Sequence, residues 1–189
     1  MHRVSGFLLL SVMTLAGVVL TVTPSRGQGV GPNVVRWDTI IGSTATGVGV
    51  SNFEPFGNPT ISTRFPLVAQ GGHAWVHLQT GQAKFSVKGL VLANSTPLAV
   101  AGTTGIISEV KGTLVCNGIS NQASAFIDTA AVPFDPKGNA EFVGTIEIPT
   151  ACLGTPQTMV FLIRVASVSN PNGQGAVGQW IAVGGIRTP

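Results

Sequence analysis

His73-Ala-Trp-Val-His-Leu-Gln-Thr-Gly-Gln-Ala-Lys-Phe-Ser-Val-Lys88 decides the fold class. Apolar residues recur at every second position on both sides of Thr80-Gly81: Ala74, Val76 and Leu78 before it, Ala83, Phe85 and Val87 after it. Period-2 alternation with a turn pair between the runs predicts two antiparallel strands, one face buried and one solvated. Lys84, Ser86 and Lys88 occupy the solvated side of the second strand, which runs on to Leu92, with Gly89 marking a bulge or a close approach.

The same pattern extends outward in both directions. Strands are expected at 34–41, 73–79, 83–92, 106–116, 123–132, 140–148, 159–166 and 177–186, separated by Gly, Pro and Asn. Asp135-Pro-Lys-Gly138 fits a type I turn. Met159–Ala166 is nearly all apolar, so both its faces should be covered, and Arg164 within it needs a partner or an exit to solvent. No helical periodicity follows the first segment. The expectation is an all-β, single-domain antiparallel β-sandwich of about eight strands, with a β-barrel as the alternative. Residues 28–189 would form that domain, 28–72 as an irregular N-terminal part and 73–189 carrying the main strands.

Residues 1–27 have a different character. His2 and Arg3 precede an apolar run from Phe7 to Val22, and Thr23-Pro-Ser-Arg-Gly27 supplies a breaker and small residues. This is the layout of a secretory signal peptide. The run is shorter than the roughly 20 residues that cross a bilayer core, so cleavage and release are expected, with an uncleaved N-terminal anchor as the alternative, and the mature chain holds no further span. The protein is therefore expected to be secreted, periplasmic or in the cell envelope.

Removing that segment changes the charge. The chain has ten Lys and Arg against seven Asp and Glu, and Arg3 and Arg26 go with the leader, leaving eight against seven. The remaining basic residues are dispersed, which argues against nucleic acid as a partner. In an oxidising compartment Cys116 and Cys152, the two cysteines of the chain, are expected to form one disulfide of roughly 3–4 kcal/mol. A zinc site using them with His73 and His77 lacks the close ligand pairs such sites favour.

Val110-Lys-Gly-Thr-Leu-Val-Cys116, Gly138-Asn-Ala-Glu-Phe142, Cys152, Phe161-Leu-Ile-Arg164 and Trp180-Ile-Ala182 together resemble a group of uncharacterised secreted bacterial proteins. The likeness covers roughly residues 82–189. It implies an exported bacterial protein and carries no activity or catalytic residue to transfer.

Candidate chemistry is sparse. On a strand His73 and His77 share a face with Trp75 but stand roughly 13 Å apart, too far for one metal. The functional reading is a ligand strip in which Trp75, between two imidazoles, stacks on a sugar ring; the alternative is a half-buried strand with no ligand. Gly173-Gln-Gly-Ala-Val-Gly178 matches a dinucleotide motif but has no following helix in the sequence pattern. Glu141 and Glu147 lie roughly 20 Å apart along a strand, beyond the reach of a glycosidase pair. Glu109 with Asp128 depends on topology. Asp135–Glu141 is a poor calcium loop, and Asn94-Ser-Thr96 reads as a chance sequon in a loop.

These observations favour a non-enzymatic exported module acting by contact, associated with the envelope or extracellular, its partner an envelope or extracellular polymer or another protein. The alternatives are a carbohydrate- or ligand-binding module using His73, Trp75 and His77, with Trp37 or Trp180 as further platforms, and a small hydrolase. No cofactor is implied.

Overall fold

The computed structural model describes residues 33–43, 66–94, 100–117, 125–154, 156–169, 177–185 and 187–188. The expected leader, residues 44–65, the turn expected at 170–173 and most of the sequon lie outside them. Among the described residues thirteen strands occur where about eight were expected, because four expected strands are each broken in two and a short one is added. In chain order they are β1 (Val34–Trp37), β2 (Ile40–Gly42), β3 (Leu67–Val68), β4 (Gly71–His77), β5 (Gln82–Lys88), β6 (Val91–Leu92) and β7 (Ile107–Cys116). Then follow β8 (Ala125–Asp128), β9 (Val132–Pro133), β10 (Ala140–Thr145), the single helical turn α1 (Thr150–Leu153), β11 (Val160–Val168), β12 (Trp180–Gly184) and β13 (Arg187–Thr188). The part expected to be irregular, 28–72, thus holds β1 to β3 and the start of β4.

The strands form a sandwich of two antiparallel sheets, and no closed barrel. One sheet runs β10-β5-β4-β1-β13; the other runs β2-β12-β11-β7-β8, with β9 also on β7. A two-stranded ribbon, β3–β6, adds Leu67 and Leu92 to the common core.

Each break has a local cause. The segment 34–41 turns at Asp38-Thr39, and 180–188 turns at Gly185, so both pass from one sheet to the other. They do so side by side: β1 pairs with β13 in one sheet, β2 with β12 in the other. Between them the Gly185 N–H donates to the Thr39 carbonyl at 2.9 Å. Segment 83–92 breaks at Gly89, whose φ of 58° ends the extended run. Segment 123–132 breaks at a bulge. The Gly112 N–H donates to the Thr129 hydroxyl at 2.9 Å, and the Thr129 N–H donates back to the Gly112 carbonyl at 2.8 Å. With Pro133 beyond it, that edge of the sheet resists pairing with another chain.

The core follows the alternation. Ala74 and Val76 of β4, and Ala83, Phe85 and Val87 of β5, are all buried. Opposite them, Phe161, Ile163 and Val165 of β11 and Val110 and Leu114 of β7 fill the space between the sheets. β11 is central and covered on both faces, as its composition requires: on the far side, Leu162, Val115 and Trp180 make a second buried cluster.

The Asp135–Gly138 turn forms as expected, with the Gly138 N–H donating to the Asp135 carbonyl at 2.9 Å. Gly138 has φ 78°, and a Cβ there would lie 2.4 Å from the Leu90 carbonyl oxygen, so the turn packs directly on the β5–β6 connection. Cys116, at the end of β7, and Cys152, in α1, are joined across 36 residues with their Cα atoms 5.2 Å apart. The bridge fastens the β10–β11 connection to the second sheet.

Candidate functional site

β4 lies in the middle of the five-stranded sheet, between β5 and β1. Because Ala74 and Val76 point into the core, His73, Trp75 and His77 must emerge on the outer face. They do: His73 is exposed, and Trp75 and His77 are half-buried. The other two tryptophans offer no platform. Trp37 is 2 % and Trp180 7 % exposed, each inside a buried cluster, which corrects the expectation for both.

The register decides what surrounds Trp75. Arg36 of β1 is its partner on one side and Lys84 of β5 its partner on the other. Lys84 is followed across β10 by Val143, an apolar residue 69 % exposed. One row across the sheet therefore reads Arg36, Trp75, Lys84, Val143. In the neighbouring rows His73 faces Ser86, which faces Glu141, and Gln82 faces Thr145. The outer face thus has an indole on its middle strand, with nitrogen-bearing side chains in the neighbouring positions.

Lys84 is held by Glu141, Nζ to Oε1 2.7 Å. That hydrogen bond and the ammonium charge, with smaller help from His73 and Lys88, hold the Glu141 carboxyl below the usual carboxylate range. The Thr80 N–H donates to Nδ1 of His77 at 3.3 Å, which joins the imidazole to the β4–β5 turn. Among the described residues neither imidazole bonds to a Ser hydroxyl or a carboxylate, the partners a catalytic base would use. The zinc alternative is overturned, because Cys116 and Cys152 bond to each other. Among the described residues no three His, Cys, Asp or Glu side chains are grouped to hold a metal.

A second polar cluster lies on the outer face of the other sheet and answers the question of Arg164. Asp128 accepts from the Thr113 hydroxyl at 2.6 Å and from Arg164 Nη1 at 3.4 Å, and pairs with the Lys111 ammonium. Arg164 Nε donates to the Gly178 carbonyl at 2.8 Å. Burial opposes the charged Asp128, but the Lys111 and Thr113 hydrogen bonds and the two cations outweigh it and lower its pKa. A general acid working at neutral pH needs the opposite shift, so Asp128 does not suit that role.

The lowered pKa has a consequence for acid stability. A carboxylate that is easier to ionise in the folded state stabilises above its unfolded pKa, and that contribution is lost as pH falls through the folded value. Between the ordinary Asp value of 3.8 and the depressed one, wild-type stability should fall more steeply with decreasing pH than that of Asp128→Asn. Urea unfolding at a series of pH values checks this. Asp135 and Glu141, also lowered, act equally in both proteins. Parallel curves would mean that the cluster does not bias folding.

Comparison of the chain with protein-family models, curated proteins and solved structures gives no match.

The site rests on its own geometry. The three β4 residues were visible in the sequence as one strip. Arg36 beside Trp75 was not, because cross-strand register leaves no trace in a period of two. The Gly173–Gly178 motif leads into β12, a strand where a dinucleotide site needs a helix. Among the described residues no helix is long and apolar enough to cross a membrane.

Proposed function

We propose that this is a non-enzymatic exported module that acts by contact, binding an extracellular or envelope polymer through the outer face of its five-stranded sheet. The observation that carries this reading is the half-buried Trp75 on the middle strand of the sheet, with His73 and His77 along its own strand and Arg36 and Lys84 on either side. Water-facing indoles of this kind offer a broad apolar plate with little side-chain entropy to lose. Sugar rings present a matching C–H face while their hydroxyls reach donors at the rim. The disulfide fits an oxidising compartment outside the cytoplasm, as does the leader-like first segment.

A binding screen of the purified protein against glycans and envelope polymers tests the reading. At least one polymer should bind. Trp75→Ala should weaken that binding by about tenfold, in line with up to about 1.5 kcal/mol for an aromatic contact, while the variant keeps its native spectrum. Because Trp37 and Trp180 are buried, the change in tryptophan emission on binding should come from Trp75 and vanish in the variant. A flat response across the whole panel would reject the polymer reading.

A further inference from the structure

Arg36 stands out once the ion pairs are placed. Of the described cations, Lys84 is committed to Glu141, and Lys111 and Arg164 to Asp128. Arg36 is exposed, lies directly beside Trp75 in the register, and its guanidinium has no hydrogen bond or ion pair among the described residues. Lys88 is exposed at the far end of β5, on the same face. Against Arg36, Lys84 and Lys88 this face carries Glu141, already neutralised by Lys84, and Asp38 stands exposed at the corner beyond Trp37. The face is close to balanced in charge, and what sets it apart is one uncommitted guanidinium beside a half-buried indole.

We propose that the polymer bound on the Trp75 face is an acidic polysaccharide, a chain of sugars bearing carboxylates, with one ring stacked on Trp75 and its carboxylate paired to the Arg36 guanidinium. This rests on the reading of that face as a polymer site. Neighbouring strands are about 4.8 Å apart, so a group on the edge of a ring seated over Trp75 comes within reach of Arg36. A guanidinium takes a carboxylate through two parallel N–H···O bonds, a geometry a neutral hydroxyl cannot reproduce. A neutral glycan would use the indole and leave Arg36 idle. An acidic one uses both, and Lys88 adds long-range attraction along the face. An acidic protein segment would also meet the cations, but its backbone and branched side chains have no flat ring to lay on the indole, so the combination of plate and fork favours the sugar.

The test compares polygalacturonate with the same polymer after reduction of its carboxylates to alcohols, against wild type, Arg36→Gln, Trp75→Ala and Lys137→Gln. Lys137 lies in the exposed Asp135–Gly138 turn and removes the same charge elsewhere. Wild type should bind the charged polymer about tenfold or more tightly than the reduced one. Arg36→Gln should lose about tenfold on the charged polymer and nothing on the reduced one, Trp75→Ala should lose on both, and Lys137→Gln should match wild type. Equal binding of the two polymers, with Trp75→Ala still weak, overturns the acidic ligand and leaves the polymer site standing. Equal losses in Arg36→Gln and Lys137→Gln reduce the effect to bulk charge and also overturn it. Binding of neither polymer rejects the acidic ligand, whereas the polymer site falls only if the wider panel is flat as well.

Discussion

Phe161→Ala should lower the free energy of unfolding by about 4–5 kcal/mol, the upper end of what truncating a buried aromatic costs. The ring is fully buried on β11 and makes the aromatic bridge between the sheets. Its centroid lies 5.4 Å from that of Trp37 on β1 and 6.0 Å from that of Phe85 on β5, both on the opposite sheet. Phe85 in turn stacks on Phe142 of β10 at 5.9 Å. Each such pair adds about 0.5–1.5 kcal/mol beyond the area it buries. The site is poorly able to collapse, because the floor beneath the ring is Gly112: a Cβ there would lie 2.5 Å from Phe161 Cζ and 2.8 Å from Phe85. Nothing on Gly112 can swing into the vacated volume. Equilibrium denaturation of the variant measures the loss. A change under about 1.5 kcal/mol would show that the neighbours close the gap and that the four aromatics are not coupled.

Removing the disulfide should have the next largest effect. Closing a loop of 36 residues restricts the unfolded chain by an amount worth roughly 3–4 kcal/mol. The double variant Cys116→Ala/Cys152→Ala should therefore unfold at lower denaturant by that amount, with its native spectrum kept. Both cysteines are fully buried, so the bond in the folded wild type should resist a thiol reductant and yield once denaturant is added. The double variant is the informative one, since a single replacement leaves a buried thiol whose own burial confuses the comparison. If the double variant and wild type unfold at the same midpoint, the cross-link does not restrict the unfolded ensemble and the β10–β11 connection is held by packing alone.

Much of the architecture was legible in the residues, and the reasons it was not entirely so are specific. Alternation at 74–78 and 83–87 placed the right residues in the core, and two cysteines in a chain expected to be exported pointed to their bridge. What alternation does not reveal is where a strand leaves its sheet. Asp38-Thr39 and Gly185 look like any polar or flexible interruption, and only the partner on the other side of each corner makes a sheet change of it. The Thr129 bulge is equally silent, since a threonine hydroxyl replacing a ladder carbonyl is a matter of tertiary placement. The same gap affects the functional face. His73, Trp75 and His77 share a strand and were found together, whereas Arg36 sits far away in sequence and meets Trp75 through pairing alone. Arg164 announced its need for a counter-charge. Which carboxylate would supply it became clear with the position of β8.

The twin corners also bear on how fast the chain can fold. Pairing Arg36 with Thr188 and Ile41 with Val183 brings together residues from opposite ends of the domain. Contacts of such long sequence separation make folding slow, because a large loop must close before they form. Without β13, β1 has one side unpaired, and without β12, β2 has no partner in its sheet. Neither sheet is complete until these two C-terminal strands are in place, so one short stretch of chain closes both layers of the sandwich.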